Sequence, residues 1–149
     1  DMACQSLDLV YTEKIREQEG GTYGVFVGGN LSKYPEQIVG IQISFDTAPS
    51  KRDALVKIIY DELKQMAEVG PTAENLNKVK EFMLKKHAEN LKENGYWMAC
   101  MSEYLFSGVN MVNNYEKLVE SFTAKDVANF VKSLIEQKNQ IEVSTISPD

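Results

Sequence analysis

Apolar positions recur at helical spacing from the start of the chain. Leu7, Val10, Tyr11 and Ile15 fall on one stripe, which predicts a helix over residues 2–19. Gly20 and Gly21 end it, since glycine readily takes the left-handed conformation that closes a helix. The period then changes to two. Val25, Val27 and Leu31 alternate with or lie beside Gly24, Gly28 and Gly29. After a proline-bearing turn, "SKYPEQ", the run "IVGIQISFD" sets Val39, Ile41, Ile43 and Phe45 on one face and Gly40, Gln42, Ser44 and Asp46 on the other. Such alternation predicts two strands of an antiparallel hairpin, with one buried and one wet face.

Helical spacing returns after residue 49. Ser50 with Asp53 reads as a helix start, and Leu55, Ile58, Ile59, Leu63 and Met66 form the following stripe. Gly70-Pro71 breaks that helix. Thr72 is placed to cap the next, with Leu76, Val79, Met83 and Leu91 inward, and Asn94-Gly95 marks its end. The mostly apolar "YWMACMSEYLF" is expected to be a short, well-buried helix. A loop at residues 107–110 leads to a short helix near 112–121. Thr123 with Asp126 then starts a last helix lined by Val127, Phe130, Val131, Leu134 and Ile135. "IEVSTI" is expected to close the chain as a third strand. The order implies a single α+β domain over residues 1–149: a small antiparallel sheet with helices packed on one face.

Composition narrows the function. With 149 residues, 43% hydrophobic and 26% charged, the chain can bury a core of its own. The net charge of −6 argues against nucleic acid, because phosphate binding needs a basic footprint. No apolar run is long enough to span a bilayer. No leader pattern opens the sequence, and it starts at Asp1 rather than Met with helical periodicity at once; it is read as a fragment of a longer chain. Cys4 and Cys100 are the only cysteines, and buried free thiols are the expected reading, their redox compartment open.

Catalytic chemistry is scarce. His87 is the only histidine, whereas zinc peptidase motifs on helices need two, so it is expected in the core or at its rim. "GGTYGVFVGG" lacks the G-K-[ST] ending of a phosphate loop and precedes a strand instead of following one. One pattern is left over. In "IREQEGGTYGVFV", Arg16 and Tyr23 sit seven positions apart across the glycine break. Taken alone, each has a plain structural explanation: an arginine suits the last turn of a helix and a tyrosine suits a strand.

The same stretch resembles the R-E-x-x-G-x-x-Y signature in the C-terminal half of insulinase/pitrilysin-type zinc metallopeptidases, those with an inverted H-x-x-E-H motif. The resemblance continues through "IQISFDTAPSKRDALVKIIYDELKQMAEVGPTAENLNKVKE" and "NLKENGYWMACMSEYL". It implies a truncated copy of the domain that closes the substrate chamber over the zinc-bearing N-terminal half, its expected partner. The family's domain opens with a strand that has no counterpart here. By position, Arg16 and Tyr23 would face the scissile peptide, the guanidinium forking onto oxygens and the phenol donating to the developing oxyanion. Zinc is implied in the intact enzyme only, and the fragment is expected to be inactive by itself. The alternative is a structural homologue that keeps the fold without catalysis. A bacterial periplasm or cell envelope is expected ahead of the cytoplasm, and the truncated sheet edge could pair with a second copy.

Overall fold

The computed structural model describes residues 1–19 and 24–145, residues 16–19 by their backbone alone. Helix α1, Met2–Glu19, leads into a hairpin of β1, Val25–Ser32, and β2, Ile38–Phe45. A 3₁₀ turn, Pro49–Lys51, follows. Then come α2, Arg52–Val69; α3, Ala73–Asn90; α4, Asn94–Ser107; α5, Tyr115–Ser121; and α6, Ala124–Glu136. The expected α+β architecture is present.

The hairpin is antiparallel, with Val25 opposite Phe45, Val27 opposite Ile43 and Gly29 opposite Ile41. Directly opposed residues share a face, so these apolar side chains line one side of the ribbon. Val25 and Val27 are buried, and Ile41, Ile43 and Phe45 pack against the core. The opposite face, with Phe26, Gln42 and Ser44, is open to solvent.

The core is built around α1, which packs against β1, α2, α3 and α6. Leu7, Tyr11 and Ile15 are its buried stripe, meeting Leu55, Val79 and Val131 from the other helices. Most start and stop signals act as the sequence implies. Thr72 Oγ1 accepts from the Asn75 N–H at 3.1 Å and caps α3. Thr123 and Asp126 form a capping box on α6, and these hydrogen bonds hold the Asp126 carboxyl below its ordinary range. Gly70 closes α2 with φ +74, and a Cβ there would lie 2.3 Å from the Ala124 carbonyl oxygen. Glycine is therefore needed both for the turn and for the close approach of α6.

Four expectations are corrected. Ser50 does not cap α2. Pro49 sets a 3₁₀ turn containing Ser50, the cap position falls to Lys51 with no side-chain hydrogen bond, and Asp53 is taken by Arg52 at 2.7 Å. Asn94-Gly95 is not a break but the first turn of α4, where backbone N–H groups have no helical acceptor to lose. The chain turns instead at residues 91–93, and the Trp97 indole donates to the Leu91 carbonyl at 2.8 Å. The helix α4 is not well buried: only Cys100 is. Apolar residues all round a helix read as burial, yet only one side of α4 meets the body. Finally, residues 141–145 form no strand, and Ile141 and Val143 are exposed. Arg52 on α2 pairs with Glu142 and donates to Ser144 Oγ at 3.0 Å, which ties the segment to the helix. Ile146 lies outside the described residues.

Candidate functional site

The helix carrying Arg16 is held firmly. Leu7, Tyr11 and Ile15 anchor its inner face, and the Tyr11 hydroxyl donates to the Ile59 carbonyl at 3.0 Å, tying α1 to α2. Burial, with the nearby Glu62 charge second, pushes the Tyr11 phenol upward, so it stays a donor. Lys14 and Glu62 add a bridge at 3.1 Å between the same helices. On the strand side, Val25 and Val27 are buried, and Asp8 on α1 has a backbone hydrogen bond with Val27. Burial raises the Asp8 carboxyl, and that hydrogen bond partly offsets it.

Both flanks of the α1–β1 connection are thus fixed in the core. Arg16 lies in the last turn of α1, its side chain outside the described residues. Tyr23 lies outside them altogether, two positions before Val25. The framework on either side of the pair is defined by Ile15 and Val25.

His87 sits 5% exposed in an aromatic box. Its Nδ1 is 3.2 Å from the Tyr96 hydroxyl, and its ring stacks on Tyr115 with centroids 4.1 Å apart. Burial, followed by a hydrogen bond with Cys100, pushes the Tyr96 phenol up to about 12. The site is a packed joint between α3, α4 and α5, as expected for a core histidine. Cys4 and Cys100 are both free and buried, again as expected, and burial pushes the Cys4 thiol up. Among the described residues, no three His, Cys, Asp or Glu side chains gather where they could hold a metal.

What the sequence missed is a groove of about 350 Å³ beside α4, lined by Trp97, Cys100, Met101, Tyr104, Leu105 and the 110–113 segment. Its only sequence signal was the length of the apolar run, which pointed to burial.

Residues 9–83, just over half of the chain, match the family model described as the peptidase M16 inactive domain. An Arabidopsis thaliana protein described as zinc protease PQQL-like is 27% identical over 97 residues, 62% of this chain and 10% of its own length. A Helicobacter pylori protein described as non-peptidase homolog YmxG is 28% identical over 123 residues, 81% of this chain and 28% of its own. The fold is similar to that of the periplasmic protease PqqL from Escherichia coli, with a TM-score of 0.65 and 17% identity over 88% of this chain and 15% of that one. The chain spans between 10% and 28% of the length of these three relatives. Its helix–hairpin–helix order and this family match agree, and the chain belongs to the peptidase M16 inactive-domain family.

Proposed function

We propose that this chain is the substrate-facing domain of the non-zinc half of a zinc-dependent peptidase. The observation that supports this most is the Arg16–Tyr23 spacing across a connection whose two flanks, Ile15 and Val25, are anchored in the core. A guanidinium at Arg16 would hold a peptide backbone by a two-pronged hydrogen bond. A phenol at Tyr23, protonated at neutral pH, would donate to the carbonyl oxygen as it becomes negative. The phenol's hydrogen bond would strengthen as the oxygen gains charge and so favour the transition state over the planar amide, while the guanidinium would position the peptide for it. The nucleophile and the metal would come from the partner half, outside this chain. The relative described as a zinc protease supports this division of labour.

A second reading has its own support. A relative that matches 81% of this chain is described as a non-peptidase homolog, so the domain could serve as a structural partner of the same fold. Hydrolysis of an unfolded model protein by the intact polypeptide separates the two. Under the first reading the intact protein cleaves, a zinc chelator stops it, and the 149-residue chain alone does nothing. An intact protein that folds and loads zinc but leaves the substrate whole would favour the structural partner. Cleavage by this chain alone would overturn both. For the compartment we propose the periplasm, supported by the described location of the Escherichia coli neighbour and checked by cell fractionation.

A further inference from the structure

Apolar packing holds both flanks of the α1–β1 connection, but packing is non-directional and does little to stop a strand sliding along a helix. Two contacts set the register. Gly29 of β1 meets Cys4 of α1: a Cβ added at Gly29 would lie 3.0 Å from the Cys4 sulfur. Four residues further along α1, Asp8 accepts a hydrogen bond from the Val27 N–H, two residues earlier in β1. Four helical residues advance about 6 Å and two strand residues about 6.6 Å, so both contacts belong to one antiparallel register. The Cys4–Gly29 contact allows close approach. Asp8 supplies direction, because a charge-assisted hydrogen bond demands both distance and angle.

Stability alone does not call for a charge here. Asp8 is half-buried, and burial raises its carboxyl, so the ionised form is less favourable than in water. An apolar side chain would fill the same place without that penalty. What the carboxylate contributes is register, and the register runs toward both candidate residues. The same helix carries Arg16 in its last turn, and β1 starts two residues after Tyr23. A shift of β1 by a third of a residue is about 1 Å, and a misplacement of that size can lower a rate about 10²-fold. We propose that Asp8 is a positioning residue: by fixing β1 along α1 it sets where Tyr23 stands relative to Arg16. The proposal rests on the reading of those two residues as substrate-facing.

The test uses the zinc-loaded intact protein and an unfolded model protein as substrate. Asp8→Ala removes the acceptor and is expected to lower kcat about 10-fold with KM little changed. Asp8→Asn keeps an oxygen that can accept from Val27 and should recover most of the parental kcat. Asp8→Leu is a second acceptor-free variant should Asp8→Ala fail to fold. In a Tyr23→Phe background, Asp8→Ala should lower kcat no further, because its effect passes through the phenol. Hydrogen exchange resolved to single amides should be at least about 10-fold faster at Val27 in Asp8→Ala, parental in Asp8→Asn, and unchanged along α1. A Val27 amide indifferent to the acceptor-free variants overturns the proposal. So does parental kcat in them, or an equal loss with and without the Tyr23 hydroxyl, which marks a general structural effect. Parental turnover in Tyr23→Phe overturns the reading of Tyr23 and the proposal with it; the other outcomes overturn the proposal alone.

Discussion

Tyr23→Phe in the intact protein is expected to lower kcat by about 10-fold to 10³-fold, the range for losing one donor to a developing oxyanion. The substitution removes one hydroxyl and keeps the ring. If the phenol acts only when the carbonyl oxygen gains charge, KM should move little and the loss should fall on kcat. Arg16→Lys keeps the charge but replaces a planar fork with a single ammonium, so it should raise KM, lower kcat, or both. Melting curves decide between a catalytic and a structural role. Changes confined to a site should alter stability by less than about 0.5 kcal/mol. A structural partner would show flat activity and, with a packed Tyr23, a lower melting temperature. Unchanged turnover in Tyr23→Phe would end the catalytic assignment.

The largest stability effect is expected at α1. Leu7 is fully buried in the stripe by which α1 meets β1 and the other helices. Leu7→Ala removes three carbons and leaves a cavity that the surrounding elements fill only in part, a loss of about 2–5 kcal/mol. A domain of this size has about 5–15 kcal/mol in total, so one substitution takes a large share of it. The melting temperature should fall by on the order of 10 °C. Thermal and denaturant unfolding followed by circular dichroism measure both. A loss under about 1 kcal/mol would mean that α1 is not the centre of the core. This test bears on function too, because α1 is the element that carries Arg16.

The sequence was legible where one residue forces one outcome. Gly70 at positive φ, Thr72 as a cap and Thr123 paired with Asp126 each act through local geometry, which a sequence displays directly. The stripe of α1 and the alternation of Ile41, Ile43 and Phe45 in β2 were equally plain, since each has one apolar face against one core, while Val39, expected on the same face, is exposed. One failure was local: Pro49, the neighbour of Ser50, sets a 3₁₀ turn before α2 that the S-x-x-D pattern leaves out. The others came where the outcome depends on distant partners. Nothing in "IEVST" reveals that Arg52, ninety residues away, holds Glu142. An apolar run such as α4 states that it needs cover, and not whether its own chain supplies it. The candidate pair was legible as a spacing; its chemistry came only from the family resemblance.

The thin attachment of α4 also sets an order of opening. One buried side chain, Cys100, a few polar ties and an edge contact between Tyr34 and Phe106 hold it, against the whole buried stripe that holds α1. Its amides can therefore exchange with deuterium through a local excursion, while those of α1 wait for cooperative loss of the core. A limited protease should likewise find the 91–111 region first and leave the α1–hairpin–α2 unit standing. Two thermodynamic layers thus coexist in one small domain, and the looser one is the surface it turns outward.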